Sequence, residues 1–267
     1  MRTAVKPIDE QEKQNVTDIY GHRLKLGVVT PSVNTVVQYE YDRMRPEGVT
    51  NHISRIHVPN ITTDNDDALL QSVTDLDRAL DNSVESVLTA EPGVIVLGVS
   101  IEAIYGDPAA GGAIQNRLRD KFNEPNLTLI HAGDALPAAL RAYGIEDGPI
   151  SILSPYGPQG EPHLTSFVEH CGYKLHSVRH LVSDTLVKIA HNPPERIRPE
   201  VDALAESGPQ AIVQFGANLP FGQVAARAET ELGIPVIAVN TATYWYALRM
   251  SGIDDKITGF GRLLSEF

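Results

Sequence analysis

Small polar side chains follow the ends of apolar runs at four places in the 267-residue chain. Ser32 and Asn34 come just after Pro31. A hydroxyl and an amide there can hold a carboxylate without burying a cation, or can form an ordinary Ser/Asn turn. Ser100 follows Gly98 and Val99. Its hydroxyl, with the Val99 and Ser100 amides, fits an oxyanion or carboxylate nest and equally fits a helix N-cap. Tyr156 follows Ser154-Pro155 and offers a phenol donor, or packs as a rim tyrosine. Asn218, with the amides near Ala217, is the fourth group. For proton transfer the candidates are Tyr156, Glu102 and His131, with Tyr105 and His163 behind them. A carboxyl beside a cleft can have a raised pKa, although Glu102 also suits the first turn of a helix. Asp107 lies in a Gly-rich turn, GDPAAGG, that matches neither GxGxxG nor a P-loop.

These groups need a scaffold, and the hydropathy pattern supplies one. Apolar runs at Leu24–Thr30 and Gly93–Gly98, the alternating β-branched stretch Asn51–Val58, and the segment Leu127–His131 predict strands. Ala68–Ala90, with Asp64 or Asn65 as cap, Ile114–Phe122 and Ala135–Tyr143 predict helices. The alternation restarts at Pro149–Leu153. Strands at Tyr173–Leu181, Gln210–Phe215 and Pro235–Val239 then alternate with helices at Gly160–His170, Glu195–Glu206, Gly222–Leu232 and Thr243–Met250. Three blocks repeat in order. Thr30-Pro31-Ser32 falls on Ser154-Pro155-Tyr156, Ile95–Ser100 on Val213–Asn218, and Leu140–Ile145 on Leu248–Ile253, at offsets of 124, 118 and 108 residues. The expectation is an α/β protein of two similar parallel-sheet domains related by a pseudo-twofold. Its active site should lie in the cleft between them, where the carboxyl ends of both sheets meet. The expected division is a polar arm at 1–20, a first domain at 21–145 and a second at 146–267, with the C-terminal segment packing back onto the first.

Composition narrows the chemistry. With 42% hydrophobic and 21% charged residues the chain is globular, and its net charge of −12 argues against nucleic acid or anionic membranes as partners. Cys171 is the one cysteine, which excludes an internal disulfide and a Cys metal cluster. His176 and His180 sit in a strand-like stretch without a carboxylate ligand at suitable spacing, so no metal is expected. The first twenty residues lack an apolar signal region, and no apolar run approaches a membrane span; a cytoplasmic location is the expectation. Homo-oligomer formation stays open.

The motifs themselves resemble the aspartate/glutamate racemase superfamily, in its maleate isomerase and arylmalonate decarboxylase branch. GVVTPSVNT at Gly27–Thr35 is similar to the isomerase opening loop that holds a substrate carboxylate. LGVSIEAIYG at Leu97–Gly106 is similar to the decarboxylase, including glycine where other members carry their first cysteine. Ser154-Pro155-Tyr156 matches the carboxylate-binding tyrosine loop, and the segment Thr243–Leu264 resembles the decarboxylase C-terminus.

The resemblance implies a cofactor-independent enzyme acting beside the carboxylate of a small carboxylate or dicarboxylate. Ser32, Asn34, Gly98, Val99, Ser100, Tyr156, Gly216, Ala217 and Asn218 would bind the substrate. The second family cysteine would fall at Gly216, so both thiol positions are glycine here. That disfavours two-thiol racemisation and thiol-addition isomerisation. The expectation is a decarboxylase-like lyase whose proton comes from Tyr156, Glu102, His131 or water. A non-thiol isomerase or racemase, a hydrolase or hydratase, and a silent carboxylate binder are the alternatives. A cysteine installed at 216 would restore the family's donor if the backbone there tolerates a side chain.

Overall fold

The computed structural model describes residues 18–106 and 110–267. Most of the polar arm and Asp107 therefore lie outside the described residues. Two four-stranded sheets, all parallel, carry the chain. The first contains β1 (Leu24–Pro31), β2 (Val49–Ile56), β3 (Val94–Leu97) and β4 (Leu129–Ile130) in the order β2-β1-β3-β4. The second contains β5 (Pro149–Ser154), β6 (Lys174–His180), β7 (Ala211–Gln214) and β8 (Val236–Ala238) in the order β6-β5-β7-β8. The same order twice is the repeat that the sequence blocks predicted, and the fold is the expected pair of α/β halves.

The central strands are apolar on both faces because helices cover both. Every residue of β3 and β7 is buried. Helices α1 (Val37–Met44), α2 (Asp66–Leu88), α3 (Ile101–Tyr105), α4 (Ala110–Phe122) and α5 (Ala132–Ala142) belong to the first half of the chain. Helices α6 (Glu161–His170), α7 (Pro194–Glu206), α8 (Gly222–Leu232), α9 (Val239–Met250) and α10 (Arg262–Glu266) follow. Of the two candidate caps for α2, Asn65 is the one used: its Oδ1 accepts from Ala68 N at 3.0 Å.

The short helix α3 begins after Ser100 at its N-cap position with Glu102 in its first turn, in line with the helix reading of those two residues. Two elements depart from the sequence reading. Helix α1 was not among the expected elements, yet its buried residues, Val37, Glu40, Tyr41 and Met44, fall at helical spacing. Helix α9 starts at Val239, four residues before the expected Thr243, because packing overrides the β-branched Val239 and Thr241. Helix α9 packs on α5 and α1 of the first half. Tyr41 and Tyr244 stack at 4.7 Å there, and the Tyr41 hydroxyl meets Thr243 Oγ1 at 2.7 Å. No helix among the described residues is long and apolar enough to cross a membrane.

Candidate functional site

Parallel strands end with their carboxyl-side loops on one edge of each sheet, and here the two edges face each other. The loops after β1, β3, β5 and β7 meet in a cavity of about 40 Å³ lined by Asn34, Val99, Ser100, Tyr156, Ala217 and Asn218, with apolar walls from Val33, Val58, Leu186 and Ile189. That volume suits a water-sized occupant.

Each polar residue reaches the cavity through local chemistry. Asn34 Oδ1 accepts from Val36 N and Val37 N, both at 2.9 Å, which ties it to the start of α1. Ser100 Oγ accepts from two amides of the opposite half, Gly216 N at 3.0 Å and Ala217 N at 3.3 Å. Both lone-pair positions are thereby engaged, and the Ser100 proton is free to donate. Asn218 also reaches the other half, its Oδ1 accepting from Thr35 N at 2.9 Å, while its Nδ2 donates to Leu186 O of its own half at 2.8 Å.

Tyr156 is held by its backbone. Its N–H donates to Ser154 Oγ at 3.2 Å, and its carbonyl lies 2.9 Å from His180 Nδ1. Burial pushes the phenol pKa upward, with smaller contributions from Tyr105 and Glu102, so the hydroxyl keeps its proton at neutral pH.

The remaining sequence-predicted residues lie elsewhere. Ser32 is exposed, and its hydroxyl exchanges hydrogen bonds with Val58 N and O at 3.1 and 3.3 Å; it is a loop fastener outside the cavity lining. Gly98 and Gly216 are buried beside the cavity without lining it. Gly98 donates its N–H to Val29 O, and its carbonyl accepts from Thr30 Oγ1. A Cβ on Gly98 would stand 2.8 Å from Val37 Cγ1. Gly216 has φ +91°, and a Cβ there would lie 2.7 Å from Pro155 Cδ and closer still to Cγ. The conditional expectation about residue 216 is thereby corrected: cysteine meets both a left-handed backbone and a proline ring.

Glu102 and His131 come together, but in a second pocket of about 460 Å³ walled largely by apolar residues of α2, α3 and α4. Burial raises the Glu102 pKa to about 7, with His131 opposing; the Glu102 and Ala103 amides also oppose it, although neither makes a hydrogen bond of ordinary geometry. His131 Nδ1 accepts from Gly133 N at 3.1 Å, and Nε2 faces Asp134 at 3.0 Å. Burial works against a charged His131 ring, but Asp134 outweighs it and the pKa is raised. Tyr105 stacks on His163 at 4.6 Å and meets Tyr156 edge-on at 6.0 Å.

Cys171 is half-buried at the end of α6, beside Phe167 and Tyr173, and burial pushes its thiol up to about 11. Among the described residues no group of His, Cys, Asp or Glu is arranged to hold a metal ion. His176 and His180 instead bond to the Ser207 and Tyr156 carbonyls. The sequence reading missed His180 as the clasp of the Tyr156 loop. It also missed the apolar walls Leu186 and Ile189, which no polar motif marks.

The family model described as arylmalonate decarboxylase matches residues 26–264. A maleate isomerase of Alcaligenes faecalis is 22% identical over 253 residues, covering 90% of this chain and 96% of that protein. An arylmalonate decarboxylase of Bordetella bronchiseptica is 22% identical over 245 residues, covering 90% and 96%. The crystal structure of a maleate isomerase from Pseudomonas putida S16 superposes with a TM-score of 0.81 at 20% identity, covering 91% of this chain and 98% of that one. At that identity the superposition speaks for the fold.

Proposed function

The chain belongs to the arylmalonate decarboxylase family, and from that premise we propose that it is a decarboxylase-like lyase acting on a small carboxylate or dicarboxylate, with Tyr156 as proton donor. The observation that carries the reading is the Tyr156 phenol, a neutral donor at neutral pH, on a cavity shared with Ser100 and Asn34 at the carboxyl edges of both sheets. Its relatives include a decarboxylase and cis–trans isomerases, which is the class of chemistry the reading draws on.

In the proposed reaction one carboxylate is lost and one stays. The C–C bond to the departing carboxylate breaks and carbon dioxide leaves. The bonding pair moves into the retained carboxylate, giving an enediolate. Charge builds on the retained oxygens, and fixed donors aimed at them lower the barrier. The Ser100 hydroxyl supplies one. Accepting two amide N–H groups polarises it, which strengthens the bond it donates. The α-carbon then takes the Tyr156 proton, and the phenolate recovers one from water. A phenol with a raised pKa is still far more acidic than the α-carbon of a carboxylate, so this transfer runs downhill. Glu102 and His131 border the other pocket, so the step is given to Tyr156.

A water-sized cavity requires the four loops to part before substrate enters. The test is incubation with 2-substituted malonates and, separately, with maleate in deuterium oxide. Carbon dioxide release with deuterium at the α-carbon supports the lyase. Fumarate formed from maleate without carbon dioxide points to the isomerase, and binding without turnover points to a silent carboxylate binder; either overturns the proposal.

A further inference from the structure

Gln214 is the one polar residue of β7, and it is buried. A side-chain amide in such a place costs free energy unless its donors and its acceptor are all used. By strand register the matching place in the first sheet belongs to Leu97, which sits opposite Val29 as Gln214 sits opposite Leu153. Strand packing therefore does not require an amide there. Gln214 uses its groups on the loop that follows. Its Nε2 donates to Phe215 O and, at 2.9 Å, to Gly216 O. Its Oε1 accepts from Val239 N, the first amide of α9, at 3.4 Å, which fixes which end of the amide is oxygen.

Those two carbonyls belong to the peptide units whose N–H groups converge on Ser100 Oγ. A trans peptide holds its C=O and N–H in one plane, pointing opposite ways. The unit with Phe215 O carries Gly216 N, and the unit with Gly216 O carries Ala217 N. Holding each carbonyl from behind thus keeps its N–H on the serine, at 3.0 and 3.3 Å. It also polarises the unit, because a peptide whose carbonyl accepts a hydrogen bond donates more strongly through its N–H. The next carbonyl, Ala217 O, accepts from Asn240 Nδ2 at 3.0 Å, so three successive carbonyls are capped by buried side-chain amides. The donors run one way, from Val239 N through Gln214 and two peptide units to the Ser100 hydroxyl.

We infer that Gln214 is a positioning residue: it aims and strengthens the Gly216 and Ala217 amides on Ser100, and through Ser100 the hydrogen bond that the enediolate receives. The catalytic part of that role rests on the lyase reading, whereas the placement of the amides does not. Gln214 itself does not line the cavity.

The test compares the wild type with Gln214→Met, which keeps the length of the side chain and removes both donors. Amide hydrogen exchange by NMR on the full chain reads the placement without turnover. The Gly216 and Ala217 protons should exchange at least about tenfold faster in the variant, while the Ile212 N–H, which donates to Pro235 O, stays within about twofold. Carbon dioxide release from a 2-substituted malonate should show kcat lower by about tenfold or more, with KM within about threefold. In a Ser100→Ala background the same substitution should lower kcat by less than about twofold, since Gln214 acts through that hydroxyl. Unmoved exchange at Gly216 and Ala217 in a folded variant overturns the inference, and so does an undiminished loss of kcat in the Ser100→Ala background. Should Gln214→Met fail to fold, the wild type decides: its two Gln214 Nε2 protons should give separate, slowly exchanging signals, and a rapidly exchanging pair overturns the inference. A wild type that releases no carbon dioxide overturns the lyase reading and with it the catalytic part, while the exchange measurement still decides whether Gln214 holds the amides.

Discussion

Removing one hydroxyl from Tyr156 changes little in volume and everything in proton supply. Tyr156→Phe keeps the ring against Tyr105 and the backbone bonds to Ser154 and His180. If the phenol meets developing charge, the variant should lose ~2–4 kcal/mol of transition-state stabilisation, seen as a fall in kcat with little change in KM. Steady-state assays of carbon dioxide release check this; an unchanged kcat would remove Tyr156 from the chemistry. The opposite outcome is expected at Cys171. Its thiol is pushed up to about 11 and lines an internal cavity with Phe167, Tyr173 and Phe215. Cys171→Ser should keep kcat within about twofold, because a thiol that resists ionisation is a poor acid or base at pH 7. Loss of activity in a folded Cys171→Ser protein would overturn the thiol-free reading. Tyr156 and Asn34 were legible in the sequence because each follows a strand end. The bonds of Ser100 were not, since its partners lie 116 and 117 residues away and only the closed pair of halves brings them together.

Strand ends, more than strands, set what this scaffold can hold. The loop after β7 turns at Gly216 with φ +91°, and that turn aims the Gly216 and Ala217 amides at Ser100. Gly216→Ala would pair an unfavourable left-handed backbone with a clash against the Pro155 ring. The expected cost is ~1–3 kcal/mol, measured as a lower denaturation midpoint at unchanged m-value. A fully stable Gly216→Ala protein would show that the loop after β7 has another conformation within reach. The alternation of strands and helices was readable because buried parallel strands are continuous apolar runs. Helix α1 was hidden by its tyrosines and valine, whereas α3 was foreshadowed by Ser100 and Glu102. What sequence pattern lacks is the partner surface: Val37 presses against Gly98, and Tyr105 fills the space above Gly160.

The two halves are joined by polar fasteners, and one of them titrates. Glu40 projects from α1 across to the starts of α8 and α9, where its carboxylate accepts from Gly222 N at 2.9 Å and from Asn240 Nδ2 at 2.7 Å. Burial raises its pKa to about 6, against bonds from Asn240, Gly222 and Phe221 that lower it. The folded carboxyl therefore binds a proton more tightly than the unfolded one, at 4.5. Its contribution to stability is fully present below pH 4.5 and is lost as pH rises through about 6. Glu102 has the same sign and extends the loss to about pH 7. His131, also raised, adds to the decline as it deprotonates. Asp134, Asp184 and Asp255, whose pKa values are lowered from 3.8, act oppositely but only in more acidic solution. Between pH 5 and 7.5 the raised groups decide the slope. The chain should be more stable at pH 5, by ~1–3 kcal/mol in urea unfolding. Glu40→Gln keeps an acceptor for the Gly222 N–H but has no proton to lose, so it should flatten the part of the slope below pH 6 and leave the Glu102 part. Equal stability of the wild type at the two pH values, or an undiminished slope in Glu40→Gln, would show that Glu40 does not couple the joining of the halves to pH.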